Sequence, residues 1–336
     1  MYEIRENVPL RERNSFGIEA RAARFAEFGN ARELDAALSG LPPGDRWYVL
    51  GGGNNVLLTG DYDGTILHPS GRRIEVLSEE GPLVRARAEA AVEWDDFVAW
   101  AVGRGLCGVE NLSLIPGYVG AAPIQNIGAY GAEAKDVIEW VECFRTDTRE
   151  TVMLSREACR FGYRDSVFKH ELRGRAVVLA VHFALSLQPE FRLRYGDVSR
   201  RVEELGGVSL ENIREAVISI RREKLPDPRV LGNAGSFFKN PVVPRDEARR
   251  LSREFPDMPA YAAGEHDVKL AAGWLIDRCG WRGRRLGPVG MHERQALVLV
   301  NYGGADGSDV LRLAHAVQAD VGTRFGVSID MEVNLL

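Results

Sequence analysis

The sequence predicts an α+β protein of at least two domains. Three observations lead there. A chain of 336 residues that is 45% hydrophobic can build two or three packed layers, more than one core usually holds. Strand-like and helix-like patterns both recur along it. The alternation then changes character after Pro226 and Pro228, which cannot continue a helix.

The elements follow in order. Residues 21–29 read as a strand, and Asn30 with Glu33 three residues on is a capping box for the helix behind it. Trp47 to Leu50 form a short buried strand that runs into Gly51-Gly-Gly-Asn-Asn55 and a second apolar run over 56–58. Strand signals recur over 64–68, 74–77 and 83–88. A helix over 92–104 places Phe97, Trp100 and Ala101 on one face and stops at Gly105. From Cys107 to Gly131 no clean period survives, and so long an irregular stretch is more often functional than idle. Strands resume over 137–144 and 177–187. Ser209 caps a helix carrying Ile213, Val217 and Ile220, which must end by Leu225. Beyond it, helices are expected over 245–254, 269–279 and 308–325, and strands over 296–301 and 328–335.

Composition excludes several classes. The net charge is -5, so no basic excess points to nucleic acid and no polybasic run to a membrane. Residues 1–15 lack an apolar core and do not read as a signal peptide. No apolar run approaches bilayer-spanning length. Cys107, Cys143, Cys159 and Cys279 form no CxxC pair, which fits free thiols in a reducing cytoplasm better than a disulfide frame or a metal site. The 36 glycines, roughly 11% against about 7% in average proteins, gather in a few loops. Lysine is scarce: Lys135, Lys169, Lys224, Lys239 and Lys269 stand beside 38 arginines. A retained lysine can mark a need for a compact three-donor ammonium, although chance explains any single one about as well.

Three loops are candidates for chemistry. Gly51-Gly-Gly-Asn-Asn55 directly follows a strand, and its N–H groups could form an anion nest. It is neither a GxGxxG nor a Walker loop, and a bare tight turn fits equally well. The segment from Asn111 to Gly131 mixes small and apolar residues without a charge, as a planar, mostly apolar ring system would require; a buried crossover loop is the blander reading. Arg164 sits among aromatics in Phe161-Gly-Tyr-Arg-Asp-Ser166, where an ion pair with Asp165 is the ordinary explanation, and Ser236 in Asn233-Ala-Gly-Ser236 would by default be a turn former. No histidine spacing suggests a Ser-His nucleophile, and HExxH is absent.

Together these segments resemble the UDP-N-acetylenolpyruvoylglucosamine reductase family. The likeness rests on Gly51 to Val56, Ile115-Pro-Gly117, Pro123 to Gly131, Phe161 to Ser166, Lys224-Leu-Pro-Asp-Pro228, Gly232 to Pro241, Lys269 to Ile276 and Gln295 to Val298, in family order from about Asn14 to Glu332. The surroundings of Tyr195-Gly-Asp197 resemble the longer form of the family, in which a tyrosine loop closes over the substrate.

The resemblance implies a fold: an FAD-binding domain of the p-cresol methylhydroxylase type with two subdomains over 14–188, a connecting segment with the tyrosine loop over 189–225, and a C-terminal α+β substrate-binding domain over 226–336. It also implies the chemistry, in which NADPH reduces non-covalently bound FAD and the reduced flavin passes hydride to the vinyl carbon of UDP-N-acetylglucosamine enolpyruvate, giving UDP-N-acetylmuramate for peptidoglycan. Arg164, Ser236 and Glu332 match the catalytic positions, with Arg164 stabilising charge, Ser236 giving the proton and Glu332 assisting. The FAD contacts carried over are Gly51, Gly53, Asn54, Asn55, Ile115, Pro116, Gly117, Gly120, Ala121, Ile124, Ile127, Arg164 and Arg221. Tyr195, Lys224 and Asn240 match diphosphate-side positions, and Tyr130 and Gln295 other substrate-side positions. Three of the five lysines, Lys224, Lys239 and Lys269, fall inside matched motifs, and Lys169 lies just beyond one.

Asn54 stands where serine is common in the family, Tyr118 where a small residue is usual, and only four residues follow Glu332. No metal, nucleic acid or membrane partner is implied, and a cytoplasmic monomer is expected. The competing readings are an oxidase of sugars or hydroxy acids on the same flavin fold and a non-catalytic UDP-sugar-binding protein. The first often tethers FAD through His or Cys, which the Gly51 and Asn111–Gly131 loops lack; the second leaves Arg164, Ser236 and Glu332 unexplained.

Overall fold

The computed structural model describes residues 3–336. Its internal contacts divide the chain into two units. Unit 1 takes the residues up to Val8, then 22–52 and 63–223; unit 2 takes 9–21, 53–62 and 224–336. Membership is therefore discontinuous in sequence: two short N-terminal segments belong with the C-terminal residues.

Unit 1 is built on two sheets. The first has strand order Ile4–Pro9, Arg21–Phe28, Tyr62–Pro69, Trp47–Val49. Helix α1 (Ala31–Ser39) follows the second of these strands. Its N-cap forms as expected, Asn30 Oδ1 accepting the Glu33 N–H at 3.0 Å, but the return bond of the expected capping box is displaced by one residue: Glu33 Oε2 accepts the Gly29 N–H at 2.7 Å rather than that of Asn30. The second sheet has order Glu150–Ser155, Ile138–Arg145, Ala176–Ser186, Leu83–Glu89, Ile74–Glu80, antiparallel throughout. The strand Glu150–Ser155 is not among those expected; it is an edge strand with no fully buried residue, and only Val152 and Leu154 pack on the core, too short an alternation to signal it.

Helix α2 (Trp94–Val102) is shorter than expected and is stopped at Gly103 rather than Gly105. It buries Trp94, Phe97, Val98, Ala101 and Val102, and the Phe97 ring lies 4.3 Å from that of Phe183 on the sheet. Burial of each large side chain in this set contributes about 1.5–3 kcal/mol, and the Ala101 methyl less. Trp100 is only half-buried and stacks on Phe97 at the margin of that core. Helices α3 (Val198–Glu204) and α4 (Leu210–Lys224) share a small core of Val198, Val202, Ile213, Ala216, Val217 and Ile220, with Tyr130 packed against it. Ser209 Oγ accepts the Asn212 N–H at 3.1 Å and so opens α4.

Unit 2 contains a four-stranded antiparallel sheet, order Gly232–Ser236, Val298–Asn301, Val289–Met291, Arg285–Leu286, and a three-stranded one, order Val242–Pro244, Asp267–Leu270, Ala260–Ala262. Helices α5 (Arg245–Glu254), α6 (Ala272–Arg278) and α7 (Gly307–Phe325) complete it. Helix α6 begins three residues later than the sequence suggests, because Lys269 and Leu270 pair into a sheet. The long strand expected over 328–335 is also corrected. Val327, Ile329 and Val333 are buried with exposed residues between them, but only Asn334–Leu335 forms a strand, parallel to Val56–Leu57, with one isolated bridge between Met331 and Phe238. Alternation reported burial there, not a continuous ladder.

The solvent side of the five-stranded sheet carries a charge network. Arg87 Nε donates to Glu142 Oε2 at 2.8 Å and also pairs with Glu75, while His182 Nε2 stands 3.6 Å from the same carboxylate. With His182 and Arg87 beside it and burial opposing them, Glu142 is held at about 2. Between the ordinary glutamate value and about 2, the unfolded chain takes up a proton that the folded chain refuses, so this stabilisation is present above the ordinary value and lost as pH falls through the window. Glu142→Gln lacks that component. Its thermal midpoint should therefore drop less than that of the unsubstituted chain between about pH 5 and about pH 3, followed by circular dichroism at fixed ionic strength; equal drops would remove Glu142 from the account of acid sensitivity.

Candidate active site

In unit 1 the segment 110–133 forms two single 3-10 turns, Glu110–Leu112 and Val119–Ala121, and a miniature hairpin of Gly128–Ala129 with Ala132–Glu133. Tyr130 and Gly131, at its tip, have φ of 48° and 81°, the type I′ pattern that suits a two-residue hairpin. Side chains hold the rest. Asn111 Nδ2 donates to the carbonyls of Tyr130 at 2.9 Å and Arg192 at 2.8 Å. Buried Asn126 donates to Glu133 Oε2 at 3.0 Å and the Gly162 carbonyl at 2.9 Å, and accepts the Lys135 N–H at 3.0 Å. Ser166 Oγ donates to the Ile124 carbonyl at 2.6 Å, and Trp94 Nε1 to that of Leu112 at 2.9 Å. Asn111 and Asn126 lie inside the motif that the sequence singled out, but nothing in residue type alone set them apart as its staples.

Arg164 is not paired with Asp165. Asp165 instead faces His170 Nε2 at 2.8 Å. The Arg164 guanidinium reaches the hairpin backbone, donating from Nη2 to the Gly128 carbonyl at 2.7 Å and from Nη1 to that of Asn126 at 3.5 Å. Its backbone has φ of 52°, and its carbonyl accepts from Lys169 Nζ at 2.8 Å. Arg221, on α4, donates from Nε to the Leu114 carbonyl at 3.2 Å and bonds with the Tyr130 hydroxyl. Burial pulls its guanidinium below the ordinary arginine value, against Tyr130 and Asp95, while Arg164 pushes the same way as burial. Burial likewise raises the Tyr130 phenol. Tyr195 meets Tyr130 edge-on, centroids 6.1 Å apart.

Ile115, Ile124 and Ile127 are half-buried and pack on the core around Trp94, with Pro116 and Ala121 in the same loop. Gly117 passes its carbonyl to the Trp94 N–H at 2.8 Å. A Cβ on Gly120 would come within 2.7 Å of Ala90, so close packing by itself accounts for glycine there. Tyr118 is buried, and its ring lies beside Gly51 and 6.0 Å from the ring of His68. His68, whose Nδ1 donates to the Leu50 carbonyl at 2.7 Å, is a neighbour outside every candidate loop.

Unit 2 holds Gly53, Asn54, Asn55, Lys224, Ser236, Asn240, Gln295 and Glu332. Ser236 ends its strand exposed, between half-buried Gly235 and the buried pair Phe237 and Phe238. The buried Asn233 side chain shapes this turn: it accepts the Gly235 N–H at 2.9 Å and donates to the Leu231 carbonyl at 2.8 Å. The chain then runs beside 330–332, where the Phe237 carbonyl accepts the Glu332 N–H at 2.8 Å and the Asp330 carbonyl that of Lys239 at 2.9 Å. Ser236 and Glu332 are thus one residue apart across adjoining backbones. Asn55 closes the other side, its Nδ2 3.4 Å from the Glu332 carbonyl and its own carbonyl accepting the Asn334 N–H at 3.1 Å. Asn240 Oδ1 accepts the Ala272 N–H at 2.9 Å, and Gln295 Oε1 lies 3.4 Å from where a Cβ on Gly273 would stand; both substrate-side candidates therefore meet the start of α6. Lys224 is the last residue of α4, one turn beyond Arg221. Two surface hollows, of about 380 and 500 Å³, are lined by none of these residues.

Comparison with known proteins decides the family. Residues 227–336 match the UDP-N-acetylenolpyruvoylglucosamine reductase C-terminal domain, and residues 23–152 an FAD binding domain. The curated UDP-N-acetylenolpyruvoylglucosamine reductase of Bacteroides fragilis (strain YCH46) is 46% identical over 99% of this chain and 100% of its own length. That of Pseudomonas putida is 48% identical over 98% of each. The chain belongs to the UDP-N-acetylenolpyruvoylglucosamine reductase family. It is accordingly an FAD-dependent oxidoreductase. A crystal structure of the reductase from Thermus caldophilus shares the fold, with a TM-score of 0.70 at 24% identity over 100% of this chain and 99% of that one. No helix among the described residues is long and apolar enough to cross a membrane.

The unit 1 residues suit a flavin on two counts. The segment between Glu110 and Glu133 is free of charge. Arg221 is a buried cation facing the Leu114 carbonyl and the Tyr130 phenol, a setting that suits a ligand edge with negative or carbonyl oxygens. Gly53 makes a sharper structural demand. Its φ is 66°, and a Cβ there would lie 2.0 Å from the Arg13 carbonyl oxygen. Gly53→Ala should lower stability by about 2 kcal/mol or more, read from urea unfolding; an unchanged midpoint would mean that the loop can move aside.

Proposed function

We propose that this chain reduces UDP-N-acetylglucosamine enolpyruvate to UDP-N-acetylmuramate, using NADPH, in the cytoplasmic supply of peptidoglycan precursors. The observation that carries the reading is the placement of Ser236, exposed on a strand end whose next residue is hydrogen-bonded to the backbone of Glu332, within a chain that matches this family over almost its whole length. The chemistry supplied by FAD when bound is two-electron transfer, from the nicotinamide to the terminal vinyl carbon of the substrate.

The residues of the chain would do the rest. Ile115, Pro116, Gly117, Gly120, Ala121, Ile124 and Ile127 form the uncharged bed, and Gly51, Gly53, Asn54 and Asn55 line the phosphate side with backbone and amide groups. Arg221 and Arg164 supply cations, and Arg164, held by two carbonyls and by Lys169 under its own backbone, stabilises the charge that develops beside the substrate carboxylate. Hydride delivery leaves a carbanion on the neighbouring carbon. A serine hydroxyl is a weak acid in water, but within hydrogen-bond reach of so strong a base it transfers its proton. Ser236 is assigned that transfer, with Glu332 assisting beside it. Lys224, Tyr195 and Asn240 hold the diphosphate, and Tyr130 and Gln295 contact the remainder of the substrate.

Three measurements test this reading. The purified protein should be yellow, and acid precipitation should release all of that colour to the supernatant; colour left in the pellet would show a covalent link, with His68 the first residue to examine. Lys224→Ala should raise KM for the UDP substrate about tenfold or more, as expected when a charge-assisted contact of about 1.5–3 kcal/mol is lost; an unchanged KM at low salt would remove Lys224 from the diphosphate site. Ser236→Ala should leave bleaching of FAD by NADPH nearly intact while slowing reoxidation by the enolpyruvyl substrate by about 10²-fold or more, with Ser236→Cys recovering part of the rate. Equal slowing of both steps in anaerobic stopped flow would make the serine a flavin-positioning group and the proton donor another residue.

A further inference from the structure

We infer that Asp95 is a positioning residue for Arg221, acting by holding Leu114 in the left-handed conformation that turns its carbonyl toward the guanidinium. Asp95 lies in the first turn of α2. Its Oδ1 accepts the Leu114 N–H at 2.5 Å and Arg214 Nη1 at 2.7 Å, and its Oδ2 accepts Arg214 Nη2 at 2.9 Å. Leu114 has φ of 57°, a conformation that a leucine holds only when its surroundings require it. Its carbonyl accepts from Arg221 Nε at 3.2 Å. One peptide therefore joins the two ends of the device, its N–H fixed by the carboxylate and its C=O presented to the arginine.

The geometry makes Asp95 the natural source of the constraint. Leu114 belongs to no strand or helix, so no ladder sets its φ. Arg214 and Arg221 are seven residues apart on α4, two helical turns, and so lie on one face. Both are tied to the same corner of the α2 side: Arg214 directly by the carboxylate, Arg221 through Leu114. Burial alone would push the Asp95 carboxyl up, yet Arg214, the Leu114 N–H and the charge of Arg221 hold it below its ordinary value. It is thus an ionised acceptor, and hydrogen bonds to an ionised acceptor are the strong ones. Neither Asp95 nor Arg214 is among the residues assigned to FAD or substrate.

This inference rests on the reading that Arg221 faces bound FAD, and the experiment keeps the two apart. FAD is stripped from the purified full-length protein and titrated back, with affinity read from flavin fluorescence and the environment of the ring from its visible absorption bands. Thermal unfolding of the FAD-free proteins identifies variants that are folded at the titration temperature. Asp95→Ala should weaken FAD binding about tenfold or more, the scale of a lost hydrogen bond to a charged group, and shift the absorption bands. Asp95→Asn keeps an oxygen for the Leu114 N–H and should weaken binding by less than about threefold. In Asp95→Ala/Leu114→Gly, glycine adopts the left-handed conformation without strain, so most of the affinity should return. Equal losses in Asp95→Ala and Asp95→Asn would overturn the proposal in favour of a simple charge effect, and so would an Asp95→Ala protein that binds FAD as tightly as the unsubstituted chain. If Asp95→Ala does not fold, the double substitution decides: affinity near that of the unsubstituted chain supports the role, and a tenfold loss overturns it. An unsubstituted chain that binds no FAD would sink the functional reading instead.

Discussion

Backbone N–H and C=O groups that are buried must find partners, and between Glu110 and Glu133 the chain forms almost no regular structure that could supply them. The organisation of unit 1 around its candidate site follows from that constraint. Asn111, Ser113, Ser166, Trp94 and Asp95 each give a side-chain donor or acceptor to this stretch of backbone, and Asn126, inside it, ties the stretch to the Gly162 carbonyl and the Lys135 N–H. They do so without a charged side chain inside the loop, leaving its surface apolar enough for a ring system. The cost appears as backbone strain: Leu114, Asn126, Tyr130 and Arg164 all hold positive φ, each at roughly 1–3 kcal/mol. These four are a majority of the non-glycine residues with positive φ among the described residues, and they cluster where the chemistry is assigned rather than scattering through the chain.

Unit 2 meets the same demand with asparagines. Asn14 Nδ2 donates to the carbonyls of Leu10 at 2.8 Å and Ile18 at 3.0 Å, and its Oδ1 accepts the Ile18 N–H at 3.0 Å. Asn301 Nδ2 donates to the Phe16 carbonyl at 2.9 Å. Asn233 shapes the turn before Ser236, and Asn55 reaches the Glu332 carbonyl. The amide carries a donor and an acceptor on one short, uncharged group, so it can satisfy two backbone partners without a desolvated charge. Ser236 and Glu332 are held by backbone ladders and amides of this kind, which fixes their spacing through main chain rather than through flexible side-chain contacts.

Where the sequence was legible, local chemistry set the structure. Helix α5 begins and ends as its pattern indicates, the Asn30 and Ser209 caps form, and Pro226 and Pro228 end α4 at Lys224. The scarcity of lysine drew attention to Lys169, whose ammonium donates to the carbonyl of the strained Arg164. Where the reading failed, the deciding partner lay far away in sequence. The edge strand Glu150–Ser155 exists because Ile138–Arg145 pairs with it. The segment after Asp330 alternates like a strand, yet it forms a single bridge from Met331 to Phe238 and a short ladder at its end with Val56 and Leu57.

Strings of residue types, read by themselves, determined the α+β class, the family, the flavin cofactor and the short roster of candidate site residues, because family motifs and capping signals are local in the chain. The tertiary structure alone decided that residues 9–21 and 53–62 join the C-terminal residues in one unit, that Arg164 serves hairpin carbonyls while Asp165 turns to His170, and that Asp95 grips Leu114. These depend on hydrogen bonds between backbone and distant side chains. Every residue offers the same backbone groups, and a leucine or arginine forced into a left-handed conformation is spelled like any other, so composition and spacing carry no record of them.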